Sequence, residues 1–564
     1  MKRERPLRAL ALTALLGSGA LAWGCSSSDT VAAGSTGSTG SNGGSGATGT
    51  AGSTGGSDAS PPPLVPVALR DVSLAAGMPK ASKECMLVHD FDGDGKPDLL
   101  LSPRSDDEKT AQLALYLNKG DGAFSRVDLP VTLGAIGACT VGDYDNDGRS
   151  DIAVIDAMSG QVVLLHSEAM KPPTFSVAAL DLGAPDPDLF LISFVDIDAD
   201  GWLDLYVGSS LVAQQATTCD VTKEDLQCQA APLAPARRRI LHNQGGKAFT
   251  AAAPAVPDPH PTFSYTLSTI DWDLDGKVDL FLSGDFAYNQ LLHNQGGKLT
   301  DLLPSLGASL YNHGMGAAFA DFDHDGRWDY YVGDLGPDQV WMSTPEGGVK
   351  DRALSLGVTD VTRTHVGWGP VAADFNNDGF DDVFIGNTLV ASSMDELAKL
   401  TVAGIESLET PIDDFLFMND HGAKFVEVGV KFQAAHNRSH VRSAALDFDG
   451  DGLVDLLEGP IPLRLLHNET AVKDQGHWLE IKLTGHASPA NAHGAVVFIE
   501  VNGSPAGQRA AESHDGISES SEVLHFGLGA ADKASSIRVL WPGGAVQKLP
   551  GPIAADQTLE IVQP

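Results

Sequence analysis

The residues best placed to do chemistry are aspartates. Seven times the chain repeats a nine-residue frame in which positions 1, 5 and 9 are Asp and position 6 is Gly. Position 3 is Asp in six copies and Asn376 in the other. The side chains so collected are Asp90, Asp92, Asp94 and Asp98; Asp143, Asp145, Asp147 and Asp151; Asp196, Asp198, Asp200 and Asp204; Asp271, Asp273, Asp275 and Asp279; Asp321, Asp323, Asp325 and Asp329; Asp374, Asn376, Asp378 and Asp382; and Asp447, Asp449, Asp451 and Asp455. Carboxylates crowded this closely repel one another unless a cation lies between them. Hard oxygen donors on a flexible loop suit Ca2+, which accepts about six to eight oxygens, better than Mg2+, which needs a strict octahedron. Gly at position 6 admits a positive φ, so that a carbonyl near position 7 can join the side chains. The expectation is one Ca2+ per copy, about seven in all.

An EF-hand loop is about twelve residues long, closes with Glu and lies between helices. This frame closes at its ninth residue, is flanked by apolar residues at positions 2 and 10, and runs into short β-type stretches such as DLLLS and DYYVG. It therefore joins two strands. A single copy could be an Asp/Gly turn that binds nothing, but seven matching copies argue for metal, and a loop present in every unit reads as a structural staple rather than a reaction centre.

Other chemistry is sparser. His313, His365 and His440 precede their loops by eight, nine and seven residues. That spacing places them at the far ends of the strands entering the loops, as a possible ligand face shared with Trp368 and Arg442. They could form an axial cluster that binds a metal or an anion, or be three separately hydrogen-bonded histidines. Cys219 and Cys228 bracket an irregular insertion and are expected to form a disulfide; Cys85 and Cys139 could bridge neighbouring strands or stay as two buried thiols. No nucleophile elbow, phosphate loop, zinc-protease helix or dinucleotide fingerprint is found, and carboxylates committed to Ca2+ make poor general acids. No catalytic residue is assigned.

What must position the loops is a repeat. Their spacings are 53, 53, 75, 50, 53 and 73 residues, a period typical of propeller blades. Each unit reads as a strand entering the loop, one leaving it, a third ending in a turn (ILHNQGG, LLHNQGG) and a short fourth. The expected fold is all-β: a seven-bladed β-propeller over residues 64–470, followed by a small β-sandwich-like domain over 476–564. The last unit lacks a fourth strand, and residues 67–77 resemble the fourth-strand segments KLTDLLPSLG and GGVKDRALSLG. The N-terminal strand should therefore complete the last blade, leaving no open edge.

These loops and their period resemble the FG-GAP/VCBS repeat superfamily, which includes the integrin α-chain propeller. LHFGLG followed by RVLWPGG in the C-terminal part resembles the ASPIC/UnbV domain, and the combination is similar to the cartilage acidic protein family. The resemblance implies a calcium-binding propeller. It does not carry over integrin ligand recognition.

Residues 1–24 read as a signal peptide, with Lys2, Arg3, Arg5 and Arg8 ahead of an apolar run. Gly24-Cys25 resembles a bacterial lipoprotein signal in which Cys25 is lipidated; the alternative is ordinary cleavage after Ala22. Residues 25–63 are a Ser/Gly/Thr-rich tether without the apolar content for a core. The formal charge of −37, to which the loops alone contribute 27 aspartates, makes nucleic acid an improbable partner. The sequence thus describes an exported protein, lipid-anchored in a bacterial envelope or else secreted, touching membrane only through its lipid. Its expected role is a non-catalytic binding or adhesion platform for a protein or glycan ligand. A calcium-dependent polysaccharide lyase or hydrolase and an envelope assembly factor are the alternatives.

Overall fold

The computed structural model describes residues 64, 67–103, 111–182, 185–209, 218–220, 227–229, 237–251, 263–285, 289–308, 314–334, 336–363, 365–389, 414–428, 440–460, 462–471, 476–511 and 518–564. The described residues are all-β apart from single helical turns. Each nine-residue frame is a hairpin connection, with one strand ending just before position 1 and the next beginning on the Asp of position 9. In the first unit these strands are Ser82–His89 and Asp98–Pro103, followed by Ala111–Asn118 and Phe124–Leu133. The four pair antiparallel in sequence order.

Six further sheets of this up-and-down kind follow, entered by Ile136–Gly142, Leu189–Val195, Phe263–Ile270, Ala317–Ala320, His365–Ala373 and His440–Leu446. The last is completed by the N-terminal strand Leu69–Asp71, which pairs with Arg464–Asn468 as expected. The topology is that of a β-propeller, and the described residues hold seven such sheets. Entry strands of successive sheets pack side by side, those of the fourth and fifth sheets meeting in a core that holds Ile270, Ala317 and Phe319, and that of the last, His440–Leu446, lies beside that of the first.

After its opening Asp, the second strand of each sheet starts with a run of apolar residues, because both of its faces are covered there. In the first sheet Leu100 joins a core shared with the second sheet, whereas Leu99 and Leu101 join one shared with the seventh. Cys85 and Cys139 form a disulfide between the first two entry strands, with Cα atoms 5.7 Å apart, which decides between the two readings of that pair. The fourth strands range from Phe124–Leu133 in the first sheet to three residues in others. Leu299–Asp301 and Val349–Asp351 each give way to a helical turn, Leu303–Leu306 or Ala353–Leu356, that ends on a left-handed Gly, 307 or 357.

Residues 64–214 and 232–564 form one compact unit. In the insertion between them, taken by itself, Thr218–Asp220 pairs with Gln227–Gln229 and the register sets Cys219 opposite Cys228. The side chains of this hairpin lie outside the described residues, as do Cys25 and all of residues 1–63.

The C-terminal part is two packed sheets. In one, His477–Thr484 lies between Leu524–Gly529 and Thr558–Val562; the other runs Ser504–Ala510, Val496–Val501, Lys533–Leu540, Val546–Ala554. Leu479, Ile481 and Phe526 of the first meet Val497, Ile537 and Val539 of the second in one buried core with Trp541. Among the described residues no helix is long and apolar enough to cross a membrane.

Candidate metal centres

All seven frames fold alike, and the second copy shows how. Asp143 at position 1 accepts the N–H groups of Asp147 (3.0 Å) and Gly148 (2.8 Å), and Asp147 at position 5 accepts that of Arg149 (2.9 Å). Asp151 at position 9 accepts the N–H of Ser167 on the third strand at 2.8 Å. The position 1 contacts recur at Asp90, Asp196, Asp271, Asp321, Asp374 and Asp447. Two left-handed residues make the coil this tight. Position 6 is Gly with φ between 81° and 99° in every copy, and position 4 is left-handed too: Gly93, Asn146, Ala199, Leu274, His324, Asn377 and Gly450. Ala199 and Leu274 hold this conformation without the tolerance of Gly or Asn, a local strain the rest of the loop must outweigh.

The frames gather carboxylates as the sequence implied. Oxygens of Asp90, Asp92 and Asp94 lie within 4.8 Å of one another. Burial is the main force raising these carboxyls, with repulsion from neighbouring aspartates added: Asp98, Asp196, Asp271, Asp321 and Asp447 are pushed up to about 7, and Asp151 and Asp329 to about 8. Basic side chains at position 7 pair with the position 5 carboxylate: Lys96 with Asp94, Arg149 with Asp147, Lys277 with Asp275 and Arg327 with Asp325. Grouped, partly desolvated carboxylates of this kind fit a hard divalent cation.

Sequence reasoning missed two partners, both on the third strand. His166, His242 and His293 place Nδ1 at 3.1, 3.1 and 3.2 Å from the position 9 carboxylates Asp151, Asp204 and Asp279, while His467 places Nε2 3.1 Å from Asp449 at position 3. Each of these four sits in a group that could hold a metal. The third-strand residue whose N–H bonds the position 9 carboxylate is Asn in five sheets, and its Nδ2 donates to the position 2 carbonyl of the neighbouring loop: Asn243 to Tyr144, Asn294 to Ile197, Asn419 to Phe322, Asn468 to Phe375, and Asn118 to Phe448. The last of these ties the first sheet to the seventh. Sheets two and five carry Ser167 and Ser343 instead, and position 8 makes the cross-link there, through the Ser150 hydroxyl and His89 and through the Trp328 indole N–H to the Asp271 carbonyl (3.0 Å). The signal was present as the dipeptide His-Asn, repeated at 242–243, 293–294 and 467–468.

The C-terminal domain packs on the loops. Lys482 Nζ lies 3.4 Å from Asp90, the Ala490 N–H donates to Asn146 at 2.9 Å, the Gly543 N–H donates to the Gly276 carbonyl at 2.8 Å, and Arg509 grips both oxygens of Asp381. Strand register puts His365 and His440 at the ends of their strands remote from the loops. The His365 ring meets Phe415 edge-on at 4.8 Å. His313 and the His440 side chain lie outside the described residues, so an axial cluster of all three is not among the contacts seen.

Comparison with known proteins agrees with this anatomy. A profile described as FG-GAP-like repeat matches residues 90–154, 143–207 and 271–332, and one described as ASPIC and UnbV matches residues 485–564. Cartilage acidic protein 1 of Mus musculus is 29% identical over 307 residues, 51% of this chain and 43% of the relative; that of Xenopus tropicalis is 29% identical over 278 residues, 48% and 40%. The matched stretch thus spans about two fifths of each relative's length. Among solved structures, an Agrocybe aegerita lectin described as recognising non-reducing terminal N-acetylglucosamine aligns over 69% of this chain and 88% of its own, with a TM-score of 0.39 and 15% identity.

Proposed function

We propose that this chain, which carries FG-GAP-like repeats and an ASPIC/UnbV domain, is an extracellular, calcium-stabilised seven-bladed propeller that serves as a binding platform for a protein or glycan ligand. The observation that carries the reading is the uniformity of the seven loops. An active site is built once, whereas this geometry recurs in every sheet and its carboxylates are tied into backbone N–H groups. The aspartates of positions 1, 3, 5 and 9, with Asn376 in the sixth loop, would hold the ions. Calcium there neutralises the grouped carboxylates and fixes the junction of the first two strands of each sheet. An exported chain anchored through Cys25 would present the platform at the cell surface, and the loop-remote ends of the entry strands, with His365, Trp368 and Arg442, are the face we assign to the ligand.

The test is a count of bound calcium alongside thermal unfolding with and without chelator. A site with a dissociation constant of ~0.1 mM at ~1 mM Ca2+ adds ~1.4 kcal/mol, so seven independent sites contribute ~10 kcal/mol, as much as the net stability of a typical domain. About seven ions and a large fall in melting temperature on chelation are expected. One or two ions with unchanged melting would reduce most loops to turns and sink the proposal.

A further inference from the structure

The C-terminal domain does not treat the loops alike. In the first loop residues 93–95 are exposed. In the sixth, Asp374, Asn376 and Asn377 are each 1% exposed. The cover is C-terminal backbone brought in at glycines. A Cβ at Gly527 would fall 1.8 Å from Asp374 Oδ2, and one at Gly476 would fall 1.9 Å from the Asn377 carbonyl. The Gly529 N–H donates to that carbonyl at 2.9 Å, His525 Nε2 lies 2.7 Å from Asn377 Oδ1, and Arg509 takes both oxygens of Asp381.

The charges in this pocket follow from its burial. The sixth loop is the copy with Asn at position 3, so it brings three ligand carboxylates rather than four. Asp381, a fourth carboxylate at position 8, is matched by Arg509. Among the described residues no side-chain cation bonds to Asp374 or Asp382, each of which takes its hydrogen bonds from backbone N–H groups. Desolvated carboxylates so arranged need a counter-charge that these neighbours do not bring to them.

We propose that the sixth loop is a closed metal site whose lid is the C-terminal domain, so that an ion held by Asp374, Asn376, Asp378 and Asp382 exchanges only when the domain lifts. Domain docking and that ion then stabilise each other, while ions in open loops such as the first exchange freely. This rests on the calcium reading above. It adds a mechanical role for the C-terminal domain, which Arg509 and His525 carry by fastening it to the sixth loop.

The test uses the calcium-loaded full-length protein, mixed rapidly with excess of a chromophoric calcium chelator. One ion should leave at least about tenfold more slowly than the rest, equivalent to about 1.4 kcal/mol in its barrier. Arg509→Ala and, separately, His525→Ala should bring that ion's rate toward the fast ones, with circular dichroism showing the folded state. Should Arg509→Ala not fold, Arg509→Lys, which keeps the charge but loses the paired hydrogen bonds, is read in its place. Release of every ion in one fast phase, or a slow ion indifferent to the variants, overturns the lid and leaves the calcium reading standing. Failure to bind calcium at all overturns both.

Discussion

The first and sixth loops share one hydrogen-bonding frame and differ in almost everything around it. Asp90 and Asp374 accept the same two backbone N–H groups, and Asp98 and Asp382 both receive the N–H of a third-strand Asn. At position 5 they part. Burial acts to raise Asp94, but its bonds to Lys96 outweigh that and hold it below the ordinary range, whereas burial keeps Asp378 above it. Position 7 is Lys96 in one and Phe380 in the other, where the ring stacks on His324 with centroids 4.0 Å apart. The nine residues set the coil; the neighbours set the charge balance.

The largest way to press on this contrast is pH. In both loops the position 9 carboxyl is raised, Asp98 to about 7 and Asp382 well above its usual range, by burial first and by repulsion from other loop aspartates second. A carboxyl that holds its proton more tightly folded than unfolded contributes stability that is fully present below about pH 4 and is lost as pH rises through its folded pKa. In chelator, therefore, the melting temperature should fall between about pH 5 and about pH 8. Every tenfold tightening of a carboxyl's hold on its proton corresponds to about 1.4 kcal/mol, and several loops act together. Saturating calcium should flatten or reverse the slope. A chelated protein that grows more stable over that range would show that the loops do not hold these protons.

Next in size is a paired substitution. Asp374→Ala removes a buried acceptor of two N–H groups beneath the C-terminal domain and should cost about 3–5 kcal/mol, by urea unfolding in calcium. Asp90→Ala frees the corresponding N–H groups of Asp94 and Gly95, which are exposed so that water can replace the lost acceptor, and also releases Lys482; it should cost about 1–2 kcal/mol. Equal losses would mean that burial under the domain does not distinguish the loops.

What was legible in the chain was whatever the repeat copied. Asp and Gly at fixed positions gave the coil, and the likeness of residues 67–77 to other fourth-strand segments placed Leu69–Asp71 in the seventh sheet. The left-handed turn at position 4 stayed hidden because Ala199 and Leu274 occupy it in two copies, residues whose own preference is elsewhere. The link between sheets through Asn118 and Phe448 joins residues 330 apart, and no local pattern announces it. The cover over the sixth loop was equally silent, since Arg509 and Asp381 lie 128 residues apart and each reads alone as a surface charge. Even Asn376, visible from the start as the one departure from the frame, took on meaning only beside the burial it accompanies.

The smallest predicted effect tests the open side of the comparison. Lys96 pairs with Asp94 at a partly exposed site, its side chain 39% exposed, and exposed pairs of this kind contribute about 0–1 kcal/mol. Lys96→Met should therefore leave unfolding in chelator within about 1 kcal/mol of the parent chain. In calcium the sign should reverse. The ammonium and the ion compete for the same carboxylate, so the variant should bind the fast-exchanging ions slightly more tightly, by a few-fold in calorimetric titration, with the slow ion of the sixth loop unaffected. A clear loss of affinity instead would make Lys96 a brace for the loop rather than a rival of its ion, and the open loops would then depend on their neighbours as much as the closed one does.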